Sequence, residues 1–389
     1  MKRKKYQTST NAEDFAPVYN NIKKSIPLLW FGHLINGKPI PWENILIDGI
    51  IINAFEIFQK KTVFRKLLNG SSIKEILPDS DYLNISLDSG GFLFQKSPEI
   101  ELPFTDFIKI IKNSLPDFVY ALDHPLDPSM DKLENDRRIK KTLENTRKMN
   151  EEIQEIPVIP ILHGYTKTQL TTCAEGIKKI YGSKPQFIAC GSLVPLMRTG
   201  GSIRKYYLDY WNTESRRVMA IRILKYARKL FPCSVIHVFG IGGTNIMHLM
   251  YLIADSVDSI GWRWSAANGM VRIFNVGERY ISKRNKSVKW NPNPSESEWN
   301  ILKECKCPIC KDDQDRLFES FEARAVHNAF VYQQESNLAK DLKKSGKYHE
   351  YLLERLQNNN SLKRLINEFP EFQACENYSV IYTKKRSKS

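Results

Sequence analysis

The sequence predicts an α/β chain: a (β/α)8 TIM barrel followed by a smaller C-terminal helical subdomain. Three observations carry this reading. Eight short apolar, β-branched runs recur between residues 26 and 262. Most are apolar throughout rather than alternating, which is the pattern of strands buried on both faces. Amphipathic stretches with charges on one face, such as FTDFIKIIKNSL and RRVMAIRILKYARKLF, fill the intervals. Strand and helix repeated eight times give a closed parallel barrel. A doubly wound open sheet is the alternative.

The runs are, in order, IPLLWF (26–31), IDGIIIN (47–53), YLNISLDS (82–89), FVYALD (118–123), VIPILHG (158–164), FIACGS (187–192), VIHVFG (235–240) and DSVDSIG (255–261). Barrel enzymes carry their chemistry at the carboxyl ends of the strands. Polar and glycine residues gather at those ends here. The third run ends Asp88-Ser89-Gly90-Gly91, the fourth Asp123-His124, the fifth His163-Gly164 and the sixth Gly191-Ser192. The seventh ends in Gly240-Ile241-Gly242-Gly243, and Asp258 lies in the eighth. Any one of these aspartates alone reads as a helix cap or turn residue. Asp88, Asp123 and Asp258 at matching ends point instead to carboxylate chemistry at one mouth.

Beyond the barrel, residues 305–330 read CKCPICKDDQDRLFESFEARAVHNAF. Cys305, Cys307 and Cys310, with His327 on the following helix, form a donor set suited to a closed tetrahedral zinc site. A site with four protein ligands leaves no position for water or substrate, so this zinc is expected to be structural. The expected organisation is a basic N-terminal segment (1–22), the barrel (23–300), a zinc-binding subdomain (301–375) and a basic tail (376–389).

Lysines and arginines number 58 against 43 acidic residues, a net charge of +15. That excess suits a polyanionic partner. Arg272, Arg279, Lys283, Arg284, Lys286 and Lys289 form a basic segment that reads either as phosphate contacts or as a solvated loop. The seven cysteines include Cys173, Cys190, Cys233 and Cys375 scattered in apolar contexts, so a reducing cytoplasm is expected rather than a disulfide framework. No apolar core follows the basic start and no run reaches about eighteen apolar residues, so neither a signal peptide nor a membrane span is expected.

Together these motifs resemble the tRNA-guanine transglycosylase superfamily over roughly residues 45 to 335. Asp88-Ser89-Gly90-Gly91-Phe92 is similar to the motif after strand three of that family. Gly191-Ser192-Leu193-Val194-Pro195-Leu196-Met197 is similar to its strand-six motif of archaeal type, and Phe239-Gly240-Ile241-Gly242 to its strand-seven turn. Asp255-Ser256-Val257-Asp258-Ser259 resembles the nucleophile motif, and Cys305, Cys307, Cys310 and His327-Asn328 the zinc knuckle.

The resemblance implies exchange of guanine in a nucleic acid. Asp258 would be the nucleophile at C1′, giving a covalent aspartyl-glycosyl intermediate, and Asp88 the general acid/base with a raised pKa. Asp123 would read the base edge, with Phe92 and Phe239 covering its faces. Ser89, Gly90, Gly91, His163, Gly164, Gly191, Ser192 and Gly240 would complete the base site.

Several positions depart from the family pattern. His163 stands where the family usually has glutamine, Leu93 replaces another glutamine, and His124 follows Asp123 in place of an acidic residue. His163 reads equally as a base contact or a buried structural histidine. After the nucleophile, Gly261-Trp262-Arg263-Trp264 replaces the usual proline-threonine-arginine stretch, so Trp262 and Trp264 are candidates for stacking on bases or for core packing. The C-terminal RNA-binding domain of archaeal tRNA enzymes is not expected from this sequence. These departures look more like the DNA 7-deazaguanine transglycosylase branch, which exchanges guanine in DNA for a base such as 7-cyano-7-deazaguanine. That branch usually works with accessory DNA-modification proteins, and a homodimer is a further possibility from the wider family. A tRNA-guanine transglycosylase is the alternative, and so is a catalytically inactive nucleic-acid-binding subunit, against which the presence of both Asp88 and Asp258 speaks.

Overall fold

A computed structural model describes residues 28–91, 102–182, 185–197, 202–281 and 292–357, together with Leu362, Leu365, Glu368 and Phe369. Nine parallel strands form one sheet: β1 (Leu28–His33), β2 (Gly49–Asn53), β3 (Asn84–Asp88), β4 (Phe118–Tyr120), β5 (Val158–Ile159), β6 (Ile161–Leu162), β7 (Phe187–Cys190), β8 (Val235–Val238) and β9 (Ser256–Ser259). Their order is β5-β4-β3-β2-β1-β9-β8-β7-β6.

The two edge strands, β5 and β6, are halves of one predicted run. Pro160 divides them, having no N–H to give to a ladder. On one side, Ala121 donates its N–H to the Ile159 carbonyl at 3.0 Å; on the other, Ala189 donates to the Pro160 carbonyl at 2.9 Å. One stretch of chain therefore borders both ends of the sheet, and the barrel closes through it. The open-sheet alternative is excluded.

Alternation of side chains sorts the core into two layers. Trp30, Ile51, Phe118, Tyr120, Ile159, Ile161, Phe187, Ala189 and Val235 fill the interior. Residues of the other parity, among them Leu29, Ile50, Ile85, Val119, Ile188, Ile236 and Val257, pack under the helices. Followed to the carboxyl ends, the inward parity delivers Asp88, His163, Gly191, His237, Phe239 and Asp258 to the mouth.

After β9 come the short helix Gly261–Ala267 and an antiparallel hairpin, β10 (Met270–Ile273) with β11 (Gly277–Tyr280). A 24-residue helix, Phe321–Lys344, ties these to the barrel. Its Asn328 accepts the Arg272 N–H at 2.7 Å and donates to the carbonyls of Trp262 and Met270, both at 3.1 Å. Further along the same helix, Gln333 accepts the Asp48 N–H at 3.1 Å, and Lys340 pairs with the Asp48 carboxylate at 2.5 Å.

At the centre of this contact lies Glu335, fully buried and ion-paired to Arg272. Arg355 and His248 Nε2 each lie 3.1 Å from its carboxylate, and the Asn275 N–H donates to it at 3.1 Å. Burial alone would raise the carboxyl, but the guanidiniums of Arg272 and Arg355 hold it well below the usual range. Among the described residues no helix is long and apolar enough to cross a membrane.

One expectation is corrected here, and one alternative is decided. Arg272 is no phosphate contact: it is completely buried, its guanidinium over the Tyr332 ring at 4.3 Å. Arg279 is engaged by both carboxylate oxygens of Glu298, while Lys283, Arg284, Lys286 and Lys289 lie outside the described residues. Trp262 is a packing residue, fully buried and stacked on His33 with ring centroids 6.1 Å apart. Trp264, by contrast, is 61% exposed.

Truncating Glu335 to alanine removes the carboxylate that two buried guanidiniums share, leaving Arg272 only Glu278 at 3.5 Å, so a loss of roughly 3–5 kcal/mol in urea-unfolding free energy is expected. The same change at Glu298, on the partly exposed Arg279 pair, should cost far less.

Candidate active site

The mouth is built from strand ends. Asp88 closes β3 opposite Asn53 of β2 and accepts the Gly90 N–H at 3.1 Å. Asp258 projects inward from β9 and accepts the Gly240 N–H at 2.6 Å on Oδ1. His237 Nε2 lies 3.2 Å from the same oxygen, and its Nδ1 lies 2.8 Å from Ser256 Oγ. Those contacts follow from the register, in which His237 of β8 sits beside Ser256 of β9.

Asp123 stands beyond β4, off the inward parity, and is held from several sides. Ser89 donates its hydroxyl to Oδ1 at 3.0 Å, and His163 Nε2 lies 3.1 Å from Oδ2. His163 is fully buried, with its Nδ1 2.8 Å from Ser192 Oγ. Ser192 adopts φ +65° and also accepts the Leu126 N–H at 2.8 Å, while Tyr165 donates to its carbonyl at 2.9 Å. That left-handed backbone is one a non-glycine residue keeps only when its surroundings hold it.

Two glycines make room for this packing. A Cβ on Gly91 would fall 2.4 Å from Asp123 Oδ1, and one on Gly191 would fall 2.4 Å from His163 Cε1. Gly164 serves a different neighbour, since its Cβ would meet the Leu170 backbone nitrogen at 2.7 Å. It brings the helix Lys167–Tyr181 against the strand end.

Burial, then the Asp123 charge and then the Asp258 charge push the Asp88 carboxyl up to about 8, with the Gly90 N–H opposing. The expected elevation is present, with desolvation ahead of crowding as its cause. Asp88 can therefore hold a proton near neutrality beside the donor-held carboxylate of Asp258. A pair of this kind can give a proton to a leaving group while the other member attacks. Tyr120, packed edge-on to Phe239 at 4.6 Å, points a buried hydroxyl with no hydrogen-bond partner among the described residues. Burial and the charges of Asp258 and Asp88 hold that phenol well above its ordinary range.

The structure thus gathers Asp88, Ser89, Gly90, Gly91, Asp123, His163, Gly191, Ser192, Phe239, Gly240 and Asp258 at the mouth. Phe92 lies outside the described residues. His237, Ser256 and Tyr120 were not anticipated. The signal for His237 was present: it is a polar residue on an apolar strand, two positions before Phe239 and therefore on the same face.

Away from the mouth, Cys305, Cys307, Cys310 and His327 offer ligand atoms that all lie within 4.8 Å of one another. The three sulfurs stand 3.6, 3.5 and 3.4 Å from His327 Nδ1. Bond lengths of about 2.3 Å to sulfur and 2.0–2.1 Å to nitrogen around a tetrahedral ion give an edge of about 3.6 Å, so the residues fit. His327 Nε2 faces the Arg272 carbonyl at 2.8 Å. Donation there leaves the Nδ1 lone pair directed at the cluster, the usual orienting contact of a metal-bound histidine. The cluster could hold a metal ion such as zinc.

With the geometry in place, the comparisons with known proteins are specific. The family model described as queuine tRNA-ribosyltransferase matches residues 56–361. The chain belongs to that family. Similar curated proteins are two described as tRNA-guanine(15) transglycosylase. The one from Thermococcus kodakarensis is 26% identical over 348 residues, covering 83% of this chain and 51% of its own length. The one from Thermococcus onnurineus is 25% identical over 342 residues, covering 84% and 51%. The chain thus spans about half the length of these relatives.

The raised Asp88 carboxyl makes stability depend on pH. It holds its proton more tightly folded than unfolded, so its contribution is full below the ordinary carboxyl range of about 4. That contribution is lost as pH climbs through about 8. Asp88→Asn removes the liability, and its gain in Tm over the parent should grow between about pH 5 and about pH 9. Thermal melts across that range check it.

Proposed function

We propose that the chain is a guanine transglycosylase, a pentosyltransferase acting on a nucleic acid. The observation that carries this reading is the pairing at the mouth of a proton-bearing Asp88 with a donor-held Asp258, in a chain of this family. Asp258 attacks C1′ of the target nucleotide. The C1′–N bond breaks, its electron pair leaves with guanine, and Asp88 supplies the proton. Asp88, now ionised, takes a proton from the incoming base, whose nitrogen displaces Asp258 from C1′ and restores both carboxyls. One N-glycosidic bond replaces another, so no energy-rich cofactor is needed. Two displacements retain configuration.

Asp123, held by the Ser89 hydroxyl and lying beside His163, reads the base edge. Gly90, Gly91, Gly164, Gly191, Ser192 and Gly240 shape the site, and Phe92 and Phe239 cover the base. The base must leave its stack to reach Asp258, so the target is flipped out or single-stranded. Zinc is the ion we assign to the cysteine–histidine cluster. It supplies cohesion and no chemistry, because all four positions are filled by protein.

For the polynucleotide we favour DNA receiving a 7-deazaguanine. The segment after the nucleophile places Trp264, 61% exposed, where the family's tRNA enzymes carry a proline-threonine-arginine stretch. Transfer RNA is the second reading, favoured by the names of the two relatives.

Labelled guanine offered with double-stranded DNA, single-stranded DNA and tRNA tests both readings. Incorporation into DNA that Asp258→Asn abolishes is the expected result. Incorporation into tRNA alone would keep the mechanism and reverse the substrate, and turnover by Asp258→Asn would refute the nucleophile. Cys307→Ser should lose bound zinc, measured by elemental analysis, and melt at lower temperature than the parent. Retention of both metal and Tm would count against the structural site.

A further inference from the structure

Three carboxylates meet at the mouth, and one of them, Asp258, is backed by a hydrogen-bonded histidine and serine. A carboxylate can only accept hydrogen bonds. His237 Nε2, 3.2 Å from Asp258 Oδ1, therefore carries the ring proton, and Nδ1 accepts from the Ser256 hydroxyl at 2.8 Å. His163 repeats the distances but not the bond to the carboxylate, since its Nε2 has no hydrogen-bond partner among the described residues. Its Nε2 stands 3.1 Å from Asp123 Oδ2, and its Nδ1 stands 2.8 Å from Ser192 Oγ. That hydroxyl already accepts the Leu126 N–H, so its own proton is free to turn to Nδ1. Both histidines are fully buried, on inward positions of different strands.

We propose that the Ser256–His237 pair positions the Asp258 carboxylate for attack. This rests on the transglycosylase reading and goes beyond it by naming what orients the nucleophile beside Asp88. His237 is a positioning residue.

Asp258 receives the Gly240 N–H and His237, both on Oδ1. Asp88 is held differently, by backbone N–H groups from Gly90 and Ser89, and lies beside the two other carboxyls and Tyr120. The groups facing Asp258 are His237 from β8, Tyr120 from β4 and Asp88 from β3. Because both donors to Asp258 converge on Oδ1, Oδ2 is the oxygen left to attack. In the covalent ester Oδ1 would become the carbonyl oxygen, still held by the same two groups.

The test is kcat and KM of exchange for the parent, His237→Ala, His237→Gln and Ser256→Ala. Loss of one charge-assisted hydrogen bond predicts a fall in kcat of about tenfold to a hundredfold in His237→Ala, with KM for nucleic acid little changed. His237→Gln, which restores an N–H donor, should recover much of the rate. Ser256→Ala should lower kcat by less, and serves as the second probe if His237→Ala folds poorly. An unchanged kcat in both His237→Ala and Ser256→Ala would overturn the positioning role while sparing the nucleophile. Exchange that survives in Asp258→Asn would overturn both.

Discussion

Like charge in a confined space governs this molecule. Three carboxyls converge where water is largely displaced, and Coulomb repulsion at low effective dielectric makes three simultaneous anions costly. The mouth meets this cost by treating its members unequally. Asp258 and Asp123 each receive a side-chain donor, whereas Asp88 receives, among the described residues, backbone N–H groups alone, with desolvation and two neighbouring charges against it. Even the glycines belong to this arrangement. Gly91 lets the chain run against Asp123 Oδ1, and Gly191 lets the His163 imidazole approach the backbone closely. The difference between a proton carrier and a nucleophile thus comes from surroundings, since all three residues are the same amino acid.

Much of this was legible in the chain itself. The barrel follows from eight short runs, most of them apolar throughout, and the carboxyl ends of those runs identify most of the mouth. What was not legible had physical reasons. Pro160 interrupts one run, so a single predicted strand becomes two edge strands of a closed sheet. The sequence around Arg272 looks like a solvated basic loop. Its true partner, Glu335, lies 63 residues away, and no local pattern links the two. Trp262 and Trp264 look equivalent on paper, yet two positions along a helix place one against His33 and the other in solvent. His237 was passed over because hydrophobic periodicity scores a strand by its apolar members, and the informative residue was the exception.

The helix Phe321–Lys344 joins what would otherwise be separate problems. His327 belongs to the cysteine cluster, Asn328 holds β10 and the end of helix Gly261–Ala267, and Glu335 anchors two guanidiniums. Tyr332, between them, sets its hydroxyl where a Cβ on Gly261 would fall, three residues past Asp258. One member of the candidate metal cluster and the backbone behind the mouth are thus fixed by one element.

The closure of the sheet also sets an order of assembly during synthesis. β1 finds its second neighbour only in β9, where Leu29 lies beside Val257, and Asp48 meets Lys340 across 292 residues. At about 5–20 residues per second, the first strand waits roughly 10–45 s before its open side is covered. Throughout that interval β1 presents an apolar, unpaired edge, the feature that invites association with other chains. Yield in a host cell will therefore depend on what shields that edge while the ribosome is still working.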